Sequence, residues 1–134
     1  MSQSDEEGQQ LAVLAESLYV ANLLILPGLA FIILGIIFLK HHDKAPPLAQ
    51  AHLEQTMAAC VGMMVMAVVA VTGISVLFLN EVDELAIWII IVILFTIIHA
   101  SMVLLGVLGL AKAMAGKCWR FPVFGRTLPP ACPK

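Results

Sequence analysis

Charged residues make up only 12% of this 134-residue chain, against 61% hydrophobic. An ordinary soluble domain carries about 25% charged residues, so a water-soluble single-core protein is excluded. Basic residues are not in excess. Seven Lys and Arg against nine Asp and Glu give a net charge of −2, which rules out the broad basic surface that nucleic acid requires. Cysteine is scarce as well: three residues at irregular spacing form neither a disulfide framework nor a zinc pattern. The length leaves no room for a separate soluble catalytic module. A Gly-rich phosphate cradle, a His-Glu-x-x-His pattern and a nucleophile–base arrangement are all missing. The first ten residues hold Asp5, Glu6 and Glu7 but no base. That is unlike a signal peptide, so the first apolar run is expected to stay in the mature protein.

What the chain has is long apolar runs. Crossing roughly 30 Å of hydrocarbon takes about 20 residues of helix, and three charge-free runs reach that length: about 17–39, 55–80 and 85–111. Stretches such as Ile87 to Ile98 are rich in Ile and Val, but lipid admits only helices or closed barrels, and three segments cannot close a barrel. The predicted fold class is therefore all-α, an integral membrane protein with three transmembrane helices. A polar acidic segment (1–10), expected to be loosely ordered, precedes the membrane domain (11–116). A basic, aromatic and Pro-rich tail (117–134) follows it.

Charge placement predicts an orientation. With three spans, the loop holding Lys40 and Lys44 shares a side with Lys112, Lys117, Arg120, Arg126 and Lys134, joined only by Asp43 and Glu54. The other side holds Asp5, Glu6, Glu7, Glu16, Glu81, Asp83 and Glu84. The positive-inside rule then gives an N-out/C-in topology in a bacterial-type inner membrane. Cys118 and Cys132 are expected to remain thiols in a reducing cytoplasm. Trp119, Arg120, Phe121 and Arg126 mark the tail as an interfacial segment against anionic headgroups, and its four prolines stop any helix.

Between lipid-immersed helices, association depends on close contact at small residues. Gly28 and Gly35 in the first run, Ala58, Gly62 and Gly73 in the second, and Gly106 and Gly109 in the third are the predicted packing positions. Pro27, near the centre of the first run, leaves the Leu23 carbonyl without its helical donor and predicts a kink beside Asn22. After Pro46 and Pro47, His52, Gln55 and Ala59 share one helix face, expected at the cytoplasmic interface.

Histidine is the one residue type that invites a cofactor. His99 sits near the midpoint of the third run, whereas His52 lies about 23 Å away in depth, so one chain cannot hold a haem between two of its own histidines. A haem or quinone shared with a partner through His99 is the remaining form of that hypothesis; otherwise His99 is a neutral side chain hydrogen-bonded to Thr96, Thr72, Ser75 or Asn22. A metal cluster of His41, His42, Asp43 and His52 competes with a solvated loop. A soft-ligand set of Met57, Cys60, Met63, Met64 and Met66 competes with ordinary core packing. Glu16 reads as a lone carboxylate at the outer membrane edge.

Two stretches carry a resemblance. Leu26-Pro27-Gly28 with the later Ala51-His52-Leu53-Glu54-Gln55, and the closing run from Ala111 to Pro122 (AKAMAGKCWRFP), resemble motifs of Tic20-like proteins. Glu54-Gln55-Thr56 stands where that family usually has Ala-Leu-Asn. The resemblance implies a compact helical membrane architecture and no catalytic residues.

The expected function is that of a small structural or accessory subunit. It has no catalytic site of its own, predicts no cofactor, and packs against lipid and a larger membrane complex or further copies of itself. Two other readings differ in class. One is an electron-transfer subunit using His99. The other is an oligomeric small-molecule transporter lined by the few polar groups of the spans.

Overall fold

The computed structural model describes residues 3–133; the Lys134 assigned above to the basic side lies outside them. The described residues form four helices and no strand: α1 (Gln3–Leu24), α2 (Leu29–His41), α3 (Pro47–Leu79) and α4 (Glu84–Met114), with a 3-10 turn at His42–Lys44. α3 and α4 are the two helices long and apolar enough to cross a membrane. Helix α1 already begins at Gln3, so the described part of the acidic N-terminal segment is helical.

The expected first span is corrected. Pro27 does not merely bend a helix; the chain reverses there. The Ile25 and Leu26 amides both close onto Ala21 O, at 2.9 and 2.8 Å. Leu26 precedes a proline, which disfavours further α conformation. Gly28 then adopts φ 86°, a left-handed geometry open to glycine at little cost. The Asn22 side chain fixes the turn by accepting the Gly28 amide at 2.9 Å. Helix α2 returns beside α1, and its 13 residues cover about 20 Å at 1.5 Å per residue, too short to cross. A cleft between the two is lined by Glu7, Leu11 and Leu14 on one side and His41, Ala45 and Pro46 on the other, so the start of α1 lies beside the end of α2.

The chain therefore runs up, down, up and down. At the near end, called the base below, Gln9 Nε2 donates to Met114 O at 2.6 Å, and a Cβ on Gly8 would lie 3.0 Å from Pro46. The first turns of α1, the start of α3 and the end of α4 thus share one level. The N-out/C-in topology is corrected with the span count: both described chain ends sit at the base, and the 80–83 turn alone occupies the far end.

Helix α1 lies between α3 and α4 and packs on each of them far more than they pack on one another. Its buried residues Gly8, Ala12, Ala15, Glu16 and Tyr19 recur at helical spacing and form one stripe. The facing stripe on α4 is Met102, Gly106, Gly109 and Ala113. Small side chains on both allow a close approach. Leu34, Leu53, Ala59, Cys60 and Phe121 complete the core around Tyr19. Every buried residue of α3 falls between Ala49 and Cys60, and beyond them the helix presents Val65, Val68, Val69, Val71 and Leu79 outward.

The elements end for local reasons. Pro47 opens α3, where its missing N–H is no loss. Asp83 caps α4 by accepting the Ala86 amide at 3.0 Å. Gly116, at φ 66°, closes α4 while the Lys117 amide returns to Lys112 O at 2.9 Å. The tail, expected as an interfacial segment, folds back on the bundle and is tied to itself. The Cys118 amide bonds Pro133 O at 2.8 Å, and a Cys118–Cys132 disulfide closes the loop, with Cα atoms 6.0 Å apart. That pairing corrects the expectation of free thiols.

Candidate functional site

The ionisable groups converge at the base, where α1, α3 and the tail meet. A polar face little longer than one turn of α3 does the gathering: His52, Gln55 and Thr56 are buried together. Thr56 needs no outside partner, since its hydroxyl donates to His52 O at 2.8 Å. Gln55 serves both of its amide functions on the tail: Nε2 donates to Arg126 O at 2.8 Å, and Oε1 accepts the Phe121 amide at 3.2 Å.

His52 joins three segments. Its Nε2 lies 3.0 Å from Lys117 O and its Nδ1 lies 2.6 Å from Glu16 Oε1. A carbonyl oxygen only accepts, so Nε2 must carry a proton. A neutral ring then has a bare Nδ1, and the short contact to Glu16 requires one further proton between the two. Either the carboxyl donates it or the imidazolium does. Both side chains are fully buried. Burial raises the Glu16 pKa, while the hydrogen bond and charge of His52 act against that rise. Among the described residues, Glu16 Oε2 and the Tyr19 hydroxyl, one turn on, find no hydrogen-bond partner. Gly109 makes the room: a Cβ there would lie 2.5 Å from Glu16 Oε2, and one on Gly106 would lie 2.7 Å from the Tyr19 ring.

The tail covers this centre. Phe121 is buried with its ring edge-on to Tyr19 at 5.3 Å, and Trp119 stands edge-on to Phe121 at 6.4 Å. A Cβ on Gly62 would overlap the Phe124 ring. Lys117, Arg120 and Arg126 point outward, exposed. The result is a sealed clasp, whose chemistry is to hold one proton and three chain segments together.

A second histidine site lies at the margin. His42 Nδ1 is 3.0 Å from Asp43 Oδ1 and its Nε2 is 2.7 Å from Glu54 Oε1. Two carboxylates that only accept call for a doubly protonated ring. Partial burial works against that charge, but the bonds and charges of Asp43 and Glu54 prevail and raise its pKa. The 3-10 turn is thereby tied to α3.

The structure separates the histidines that a metal cluster would need: His52 turns to Glu16, His42 to Glu54, and His41 Nδ1 sits 3.2 Å from Ile37 O. Among the described residues no three His, Cys, Asp or Glu groups come together as metal ligands. His99 lies half-buried on α4, stacked on Phe95 at 5.1 Å, while Thr72, Ser75 and Thr96 each bond back to their own helix. Of the packing glycines, Gly106 and Gly109 face α1, Gly62 faces the tail, Gly35 approaches Met57 (3.8 Å) and Gly73 meets nothing within 4 Å. Ala58 is half-buried and Gly28 occupies the turn.

Glu16, expected as a lone carboxylate at the outer membrane edge, is instead paired with His52 at the base, and the sequence reading did not single out Tyr19. The available signal was their place in a small-residue stripe, with Ala12 and Ala15, that a bundle core would want. Their partners lie 36 and more residues away, beyond the reach of local pattern.

The profile of the magnetosome magnetite crystal formation protein family (MamF/MmsF) matches residues 7–128. The chain belongs to this family, which replaces the Tic20-like assignment. No curated protein and no solved structure matches the chain.

Proposed function

We propose that this magnetosome-family protein is a non-catalytic membrane component of magnetite crystal formation, acting as an accessory that packs laterally with other membrane proteins. The observation that carries the reading is the far half of the α3–α4 hairpin. Residues 61–79 and 84–101 cover about 27–29 Å each at 1.5 Å per residue, close to one hydrocarbon thickness. Most of their side chains face outward, with Ile87 the buried exception, and the exposed apolar ones offer contacts to lipid or to neighbouring helices. The Glu16–His52 clasp supports the same reading, because its buried groups serve packing and leave no open face for a substrate.

The family membership supplies the process, and the hairpin supplies the mode. For sidedness, Lys40, Lys44, Lys112, Lys117, Arg120 and Arg126 all sit at the base, while the far turn has Glu81, Asp83 and Glu84. The positive-inside rule puts the base in the cytoplasm. The Cys118–Cys132 pair points instead to an oxidising compartment. We take the first indication, because it rests on six side chains whose charge is permanent, whereas a pairing follows the redox poise.

Deletion of the gene in a magnetite-forming cell is the test. Crystals measured by electron microscopy are expected to become smaller or fewer, and the tagged protein, extracted in mild detergent, is expected to bring other membrane proteins with it. Unchanged crystals, or a monodisperse monomer with no companion, would overturn the proposal.

A further inference from the structure

We infer that Arg120 and Arg126 form a binding site for the phosphate of an anionic phospholipid in the leaflet nearer the base. The folded tail builds this site. The Gly125 amide closes a short turn onto Phe121 O at 3.0 Å. Buried Gln55 fixes both ends of the turn, through the Phe121 amide at 3.2 Å and Arg126 O at 2.8 Å. Phe121 itself sits in the core, so the turn is pinned from inside as well. Gly125 is needed for space: a Cβ there would overlap Phe121 O and lie 2.7 Å from Arg120 Cγ. Arg120 therefore lies across Gly125, beside the residue that carries the second guanidinium. Both arginines are exposed, and among the described residues neither enters an ion pair.

The level of this turn selects the ligand. Residues 61–79 and 84–101 already cover about one hydrocarbon thickness, which puts the near edge of the acyl layer at Val61. A Cβ on Gly62 would meet the Phe124 ring, so Phe124 lies at that edge, preceded by the exposed Pro122 and Val123. Gln55 is six residues further down α3, or about 9 Å. Headgroups occupy about 5–8 Å beyond each hydrocarbon edge. The backbones held by Gln55 thus stand at the outer margin of that layer. From there a long arginine side chain reaches phosphate, while the apolar loop tip meets the acyl chains. Lys117, whose carbonyl bonds His52, lies about 14 Å from the edge and Lys112 about 16 Å, both beyond the headgroups. The cations of the base are therefore not equivalent.

Guanidinium suits such a site better than ammonium, because its fork pairs bidentately with phosphate oxygens. Two forks on one turn favour a phosphodiester of net negative charge over phosphatidylcholine, whose own choline cation offsets its phosphate. Each basic residue at the membrane surface is worth about a three- to five-fold preference for anionic lipid. This inference rests on the membrane embedding proposed above and on no part in crystal formation.

The test reconstitutes the full chain in vesicles of phosphatidylcholine and phosphatidylglycerol, extracts it in mild detergent, and measures the lipid that stays bound by mass spectrometry. Phosphatidylglycerol is expected to exceed its share of the vesicle on the order of ten-fold. Arg120→Gln and Arg126→Gln should each lower that enrichment about three- to five-fold, and the double variant should bring it to parity. A Lys112→Gln/Lys117→Gln variant loses the same charge at the wrong level and should keep the enrichment. Added inorganic phosphate should not displace the lipid. Parity in the wild type, an equal loss in the lysine variant, or displacement by phosphate would each overturn the inference. Resistance to alkaline extraction reads insertion separately: release of the chain would overturn the embedding itself, whereas an embedded chain at parity would overturn the site alone. The wild-type enrichment and its response to phosphate keep the test decisive even if an arginine variant fails to fold.

Discussion

The two halves of the α3–α4 hairpin are made of similar residues and live differently. Below Cys60 and beyond Met102, each helix buries one face against α1 and the tail, and glycines such as Gly106 and Gly109 are pressed by Tyr19 and Glu16. Above those levels Gly73 meets nothing within 4 Å and most apolar side chains face outward, Ile87 excepted. The composition of α3 and α4 therefore does not decide what they pack against. The short α1–α2 hairpin does, by bringing a stripe of small residues and one carboxyl to the near half alone.

The sharpest break in that contrast is expected at the clasp. His52→Ala leaves Glu16 buried without its partner, which costs about 3–5 kcal/mol when a buried pair is broken from one side. Thermal unfolding in detergent should show the near half lost first, with the tail newly open to trypsin. Glu16→Gln keeps a donor toward Nδ1 and should cost about 1 kcal/mol. An equal cost for both would show that the shared proton does not matter.

Next in size is a matched pair of glycine substitutions. Gly109→Leu drives a side chain into the Glu16 carboxyl and is expected to cost about 1–3 kcal/mol, as overpacking does. Gly73→Leu faces open space and should stay within about 0.5 kcal/mol. Equal effects on thermal stability would erase the distinction between the halves.

A smaller effect is expected at the reversal. Asn22→Ala removes the acceptor of the Gly28 amide, at a cost of about 0.5–1.5 kcal/mol. Hydrogen exchange at the 25–28 turn should rise while exchange at the 80–83 turn does not.

The smallest effect is a pH dependence at His42. Its folded pKa lies above the ordinary 6.5, so its contribution is full below that value and fades as pH rises through the raised one. Stability of the near half should decline across that window in the wild type and not in His42→Gln. A decline of the same size in both would assign the effect elsewhere.

Much of this was legible in the residues, and the misses have physical causes. The runs that became α3 and α4 announce themselves by length and apolarity. His52, Gln55 and Ala59 are visibly on one face, and Pro27 visibly interrupts a helix. What the interruption became was not visible. A proline bend and a full reversal share the same local sequence, and only Gly28 at positive φ with Asn22 folding back onto it chooses between them. Hydropathy also merged the end of α1 with α2, because a tight apolar helical hairpin reads like a single long apolar run. Glu16 read as a lone edge carboxylate because its partner lies on another helix. The tail read as an anchor because Phe121 and Trp119 suit an interface as well as a core.

Everything rests on the α1–α2 hairpin turning back before it crosses. Single cysteines placed at Ser4, at Val82 and at Arg126 in a variant without the native three, probed with a membrane-impermeant maleimide in intact cells, test it most directly. The account predicts that the Ser4 and Arg126 positions label alike and the Val82 position labels oppositely. Labelling of Ser4 together with Val82, opposite to Arg126, would restore a third crossing and contradict it.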